Sequence, residues 1–143
     1  MKKILYISLL FLLFSCQKKE DINPFPEIEF ISISPTIAQE YTDEITIIIK
    51  YTDEDGDLGE NNPDVKNLFV KDIRNGIQYE YRIPQLAPNE NGIFIIGNFN
   101  IMINGTGVTN GSSSEKVSYQ IYVTDRNGNE SNTITTSEIT INQ

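Results

Sequence analysis

Apolar and polar residues alternate position by position in several segments of this chain. The clearest examples are 45–51 (ITIIIKY), 77–83 (IQYEYRI) and 117–123 (VSYQIYV). A period of two sends successive side chains to opposite faces of a β-strand, so that one face can be buried and the other hydrated. Each segment is therefore predicted to be a strand with one face in a hydrophobic core.

Three further segments have the composition of strands. Residues 27–34 form the first, which Pro35 ends, and the Thr/Ile-rich residues 133–141 form the last. Between them, residues 93–103 predict one long strand, with a bend or bulge at Gly97 because the missing side chain permits one. The chain is thus predicted to contain about seven strands and no helix.

One pair of strands has a recognisable turn between them. Asn75-Gly76 separates the apolar residues around 68–73 from the alternating segment 77–83. A type I′ turn needs positive φ at both central residues, and asparagine followed by glycine is the pair that it favours. Residues 67–83 are therefore predicted to form one β-hairpin with a type I′ turn.

Regularly spaced strands without helices predict an all-β domain over residues 27–143, folded as an antiparallel β-sandwich. A small eight-stranded β-barrel remains the alternative, because period-two strands do not distinguish an open sandwich from a closed barrel. The closing residues 119–141 place a D-x-x-G-N turn (Asp125, Gly128, Asn129) between two strands. This arrangement resembles the end of bacterial immunoglobulin-like, cadherin-like and fibronectin type III modules, and the resemblance implies an immunoglobulin-like sandwich.

The N-terminus has the pattern of an export signal. Two lysines precede the apolar run 4–14, which is shorter than the roughly 20 residues that a membrane-spanning helix needs, and this predicts a signal peptide at 1–15. Leu13-Phe14-Ser15 and Cys16, the only cysteine of the chain, resemble the bacterial lipobox. The resemblance implies cleavage before Cys16 and a covalent diacylglycerol-based lipid on its thiol, which anchors the protein to a membrane. An ordinary leader with an incidental cysteine is the alternative.

Residues 16–26 then form a tether between the anchor and the domain. Gln17-Lys18-Lys19-Glu20-Asp21 resembles the export signal of surface lipoproteins in Bacteroidota-type bacteria. The resemblance implies a lipid-anchored protein of the bacterial outer membrane that faces outward at the cell surface. The alternative interpretation is a solvated spacer that only keeps the domain off the bilayer.

The amino-acid composition argues against several kinds of partner, metal site and catalytic site. The 143 residues include 20 Asp plus Glu, 11 Lys plus Arg, no His, no Trp and one Cys. Nucleic acid is not an expected partner, because a strongly basic patch is missing. Without His and with one Cys, the chain cannot build the common soft-metal sites or a Ser-His-Asp or Cys-His nucleophile. Paired carboxylates can hydrolyse glycosides, but such sites usually need a cleft with aromatic platforms, so the chain is predicted not to be an enzyme.

The acidic stretch 51–64 (YTDEDGDLGENNPD) carries the most specific chemistry. Asp53, Asp55 and Asp57 recur at every second position, and carboxylates held close together repel one another unless a cation neutralises them. Ca²⁺ accepts about 6 to 8 oxygen ligands and is a natural partner. The loop is not an EF-hand, because Leu58 occupies the sixth position, where that loop needs glycine. If the turn after residue 124 lies at the same end of the sandwich, the predicted ligands are Asp53, Asp55, Asp57, Asp125 and Asn127.

Two functions fit these features. The first is a non-catalytic binding or adhesion accessory whose exposed loops capture a glycan or a protein. The second is a structural envelope component that calcium stabilises and that captures no ligand. The acidic stretch also has a plainer interpretation, a solvated connector whose glycines form turns. An exposed aromatic patch favours the first function and buried tyrosines favour the second, and the residues that decide are Tyr79, Tyr81, Tyr119 and Tyr122.

Overall fold

A computed structural model describes residues 22–88 and 92–143 of the chain. The described residues form ten strands and no helix, which confirms the predicted all-β class. Since they contain no helix, none of them offers a long apolar helix that could cross a membrane. The predicted signal peptide (1–15), Cys16 and the tether residues up to 21 lie outside the described residues.

The strands form three open sheets. In chain order they are β1 (Glu27–Ser34), β2 (Ile37–Gln39), β3 (Ile45–Asp53), β4 (Leu68–Asp72), β5 (Gln78–Tyr81), β6 (Ile95–Ile103), β7 (Ser114–Val117), β8 (Tyr119–Val123), β9 (Ile134–Thr135) and β10 (Ile139–Asn142). The first sheet has the order β1-β3-β6, the second β2-β10-β7 and the third β5-β4-β8-β9.

One hydrophobic core lies between the sheets. The alternation in β3 buries Ile45, Ile47 and Ile49 completely, and the alternation in β8 does the same for Tyr119 and Ile121. All three sheets contribute inward-facing residues to this one cluster. The described strands therefore pack as the predicted β-sandwich and not as a single closed sheet.

Strand β6 is the long strand predicted for 93–103, but it has no bulge at Gly97. It pairs with β3 residue by residue along its whole length, and Gly97 lies opposite Tyr51 without a shift in register. A Cβ atom at Gly97 would lie 2.5 Å from the Tyr51 hydroxyl oxygen. The predicted bulge is wrong, because glycine leaves room here for the tyrosine side chain that crosses it. The irregularity of this sheet falls between Phe30 and Ser32 of β1.

The hairpin predicted for 67–83 is present, but its turn is not type I′. Strands β4 and β5 pair antiparallel, and the backbone N–H of Asp72 donates to the carbonyl of Ile77 at 2.8 Å. Gly76 has positive φ (75°), whereas Asn75 does not. Instead, the side-chain oxygen of Asn75 accepts a hydrogen bond from the backbone N–H of Ile77 at 2.9 Å. The asparagine thus stabilises a longer turn through its side chain.

Two predicted strands are each divided between sheets. The segment around 117–123 contributes β7 to one sheet and β8 to another, with Ser118 between them, and the segment 133–141 is divided into β9 and β10. A strand that changes sheet keeps its alternation, so the sequence pattern does not reveal the change. The pairing of β10 with β2 is parallel, whereas the prediction was antiparallel throughout.

The end of the sandwich at which β3 stops also receives the end of β8. Strand β3 ends at Asp53 and β8 ends at Val123. Beyond these ends, an isolated antiparallel bridge pairs Leu58 with Asp125. The acidic stretch and the turn after β8 therefore lie side by side, as a shared site requires.

Candidate metal centre

Asp53 is the last residue of β3, and its side chain follows the inward alternation of that strand. The residue is only 1% exposed. Its Oδ2 atom accepts a hydrogen bond from the backbone N–H of Leu58 at 2.7 Å, so the chain after β3 folds back onto the end of the strand. Leu58 is itself fully buried. The acidic loop is thus attached to the core at both Asp53 and Leu58.

Gly56 lets the loop backbone pass close to Ile93, where the side chain of any other residue would clash. It has a φ of 76°, and a Cβ atom there would lie 2.2 Å from the carbonyl oxygen of Ile93. Arg126 holds the loop from the other side, because its Nη1 donates to the Gly59 carbonyl at 2.9 Å and its Nη2 to the Gly56 carbonyl at 3.3 Å. The turn after β8 therefore helps to hold the acidic loop in place.

The three aspartates of the loop point to a common centre. One carboxylate oxygen from each of Asp53, Asp55 and Asp57 lies within 4.8 Å of the other two. Ca²⁺ binds oxygen at about 2.3 to 2.6 Å, so two oxygens bound to the same ion lie at most about 5 Å apart. The spacing of these oxygens is compatible with one calcium ion between them.

Burial makes these carboxylates unusual. Asp57 is 8% exposed, close to the nearly complete burial of Asp53. Within the described part of the chain, Oδ1 of Asp53, Oδ1 of Asp55 and both oxygens of Asp57 are buried and accept no hydrogen bond. A buried carboxylate without a partner is costly, and buried charges in proteins are normally paired or bound to metal. The donor set consists of hard oxygens, which is the chemistry that Ca²⁺ requires.

In the absence of a cation, the electrostatics of the cluster make Asp55 and Asp57 harder to ionise than an exposed aspartate. Burial, the closeness of the Asp53 carboxyl group and repulsion from Asp57 and Asp125 raise the pKa of Asp55 to about 7. Burial and repulsion from Asp125 and Asp53 raise the pKa of Asp57 to about 6, although Arg126 partly opposes this. A bound divalent cation would lower the pKa values of both Asp55 and Asp57, because an opposite charge favours the ionised carboxylate.

The structure brings Asp125 to the cluster and leaves Asn127 apart. Asp125 is 8% exposed, and its charge contributes to the raised pKa values of Asp55 and Asp57. Asn127 is exposed in the turn. Asp125 is therefore a fourth acid close to the three aspartates, whereas Asn127 lies at the surface of the turn.

Two residues that shape the centre were not found by sequence analysis. Arg126 holds the loop carbonyls as described above. Asn129 fixes Asp125, because its backbone N–H donates to Oδ1 and its side-chain Nδ2 to Oδ2, both at 2.8 Å. Asn129 belongs to the D-x-x-G-N turn recognised in the sequence, but that motif indicates a turn and not a support for a carboxylate.

Similarity to known proteins adds nothing to this description of the centre. Comparisons with protein-family models, with curated proteins and with solved structures found no match for the chain. The assignment of the site therefore depends on the contacts, burial and charges of its own residues.

Proposed function

We propose that the chain is a non-catalytic, lipid-anchored lipoprotein of the bacterial cell surface, of the Bacteroidota type, whose β-sandwich is stabilised by one calcium ion. The ion binds Asp53, Asp55 and Asp57, with Asp125 beside them. The observation that carries the proposal is the set of buried carboxylate oxygens without hydrogen-bond donors. Extracellular modules use calcium sites with dissociation constants of about 10⁻⁴ to 10⁻³ M, which suits a protein outside the cell.

The tyrosines support a structural role for the ion. Tyr119 is fully buried, and Tyr79 and Tyr81 pack against the core. Tyr122 stacks on Phe69 with ring centroids 4.8 Å apart. These contacts involve the rings in packing within the domain, and so they favour the structural envelope component over capture through a tyrosine patch.

Ligand capture remains a second candidate function, because the sandwich has an apolar groove between β5 and β6. A cavity of about 360 Å³ is lined by residues that include Tyr81, Phe99, Asn100 and Met102. Ligand pockets usually begin at about 300 Å³ and combine apolar walls with a few polar groups. The groove meets both conditions for binding a peptide or sugar.

Thermal melting of residues 22–143 tests the metal proposal. Every strand and the whole described core lie within this fragment. Calcium at about a hundredfold excess over its dissociation constant should raise the Tm by about 5 °C or more relative to EDTA, because a ligand that binds only the folded state stabilises it. Magnesium should have a smaller effect, because it requires a stricter octahedral geometry and dehydrates reluctantly.

Two double variants make the test specific. Asp55→Asn/Asp57→Asn should abolish the calcium-dependent rise in Tm. The control Glu44→Gln/Asp64→Asn removes the same amount of charge from exposed residues and should keep it. Superimposable melts of the wild-type fragment with EDTA and with millimolar calcium would refute the metal proposal.

A further inference from the structure

The N-terminal segment 22–26 lies against the same end of the sandwich as the acidic cluster. We infer that cation binding at Asp53, Asp55 and Asp57 is coupled to docking of this segment, so that the ion determines how the tether leaves the domain. The inference rests on the proposed calcium site and adds to it a mechanical role at the junction between domain and tether.

Two hydrogen bonds join the segment to the site. The backbone N–H of Asn23 donates to Oε2 of Glu54 at 2.7 Å, and Glu54 lies between Asp53 and Asp55 in the acidic loop. The Nδ2 of Asn129 donates to the carbonyl of Pro24 at 2.9 Å. The segment is therefore held by one residue from each of the two loops that form the centre.

Asn129 links the segment directly to a carboxylate of the centre. The Nδ2 group that holds the Pro24 carbonyl also donates to Oδ2 of Asp125, and the backbone N–H of Asn129 donates to Oδ1 of the same aspartate. A shift of Asp125 would therefore move the donor that holds Pro24. The position of the acid and the docking of the segment depend on one side chain.

Charge provides the driving force for the coupling. Without a cation, the aspartates of the loop repel one another and favour a more open loop, which displaces the attached Glu54. With a cation, the carboxylates are drawn together, and the two hydrogen bonds that hold the segment stay in place. Linkage makes the effect reciprocal, so a docked segment must also raise the affinity of the site for the cation.

The coupling has a defined boundary at the start of β1. Ile28 is held by Asn132, whose Oδ1 accepts from the Ile28 N–H and whose Nδ2 donates to the Ile28 carbonyl, both at 2.9 Å. Asn132 belongs to neither loop of the centre. Calcium should therefore affect residues 22–26 and leave Ile28 unchanged, which provides an internal control.

Hydrogen exchange on the full chain purified in detergent tests the inference. Calcium chloride should slow exchange of the Asn23 and Phe25 amides by about fivefold or more, the lower end of ordinary coupling between sites, with no change at Ile28. Asn23→Pro removes the N–H that donates to Glu54 without changing charge, and it should weaken calcium binding by a similar factor. The control Asn23→Ala keeps that N–H and should bind calcium within about twofold of the wild type.

The outcomes separate this inference from the proposed function. If calcium raises the Tm and protects the acidic loop, but Asn23 and Phe25 exchange at the same rate and Asn23→Pro binds as tightly as Asn23→Ala, the coupling is refuted and the calcium site stands. If the wild-type chain does not bind calcium, both proposals fail together. Slower exchange at residues 22–26 together with weaker binding by Asn23→Pro supports the coupling.

Discussion

At the scale of single residues, Asp53 and Asp57 show how the local sequence pattern buries carboxylates that need a cation or a hydrogen-bond donor. The alternation that buries Ile47 and Ile49 continues along β3 and directs Asp53 inward as well. Its Oδ2 atom accepts from the Leu58 N–H, while Oδ1 and both oxygens of Asp57 accept no hydrogen bond from the described residues. These buried acids destabilise the fold when they are ionised and unpaired.

The pH dependence of stability should show the cost of ionising the acids of the centre. In the folded state the pKa of Asp55 is raised from 3.8 to about 7 and that of Asp57 to about 6, so the folded protein holds these protons more tightly than the unfolded chain. In EDTA, the contribution of these acids to the free energy of unfolding should therefore be fully present below pH 3.8 and be lost as the pH rises through about 6 to about 7. Calcium affinity should fall below pH 7, because protons compete with the ion.

Melting of the wild-type fragment 22–143 and of Asp55→Asn/Asp57→Asn across pH 4 to 8 measures this effect. In EDTA the wild-type Tm should fall more steeply with rising pH than that of the variant. At neutral pH without calcium, the variant should also be at least as stable as the wild type, because it lacks the two carboxylates whose ionisation burial and repulsion oppose. Parallel pH profiles would contradict the assigned pKa shifts.

At the scale of elements, the centre depends on two loops that come from different sheets. The acidic loop follows β3, the turn 125–129 follows β8, and the bridge between Leu58 and Asp125 joins them. The guanidinium of Arg126 then ties the turn to two carbonyls of the acidic loop. The tight path at Gly56 is part of the same construction, because the loop passes directly over the Ile93 carbonyl.

A pair of glycine variants measures the importance of that close approach. Gly56 and Gly111 have nearly equal φ values, 76° and 74°, but a Cβ atom at Gly111 has no neighbour within 4 Å. Gly111→Ala should cost about 1 to 2 kcal/mol for the left-handed backbone, and Gly56→Ala about 1 to 3 kcal/mol more for the clash with Ile93. Urea unfolding of fragment 22–143 gives both values, and equal losses would show that the contact at Gly56 is unimportant.

At the scale of the whole molecule, the N-terminal segment 22–26 is the part of the chain that connects the centre to the proposed anchor. The residues between Cys16 and Ile22 span at most roughly 20 Å even when fully extended. With a lipid on Cys16 and the segment 22–26 docked, the end of the domain that carries the aspartates would stay close to the membrane. Calcium would then limit the motion of the domain relative to its anchor.

The anchor itself is tested with the full chain in a lipoprotein-exporting bacterium. Wild-type protein should incorporate labelled palmitate and partition with the membrane fraction. Cys16→Ala should lose the label and remain uncleaved, because the modified thiol is absent, whereas Gln17→Ala keeps the thiol and should keep the label. Equal labelling of Cys16→Ala and wild type would exclude Cys16 as the lipidation site.

The sequence by itself determined most of the extended segments and the spacing of the acids, because side-chain alternation is a local property of the extended backbone. It therefore predicted β1, β3, β6, the hairpin and the three aspartates of the loop. Tertiary structure decided the rest: the change of sheet at Ser118, the packing of Tyr51 over Gly97, the nearness of Asp125 and the docking of residues 22–26. These features depend on contacts between residues far apart in the chain, and no local pattern specifies which distant loops the packing of the sheets will bring together.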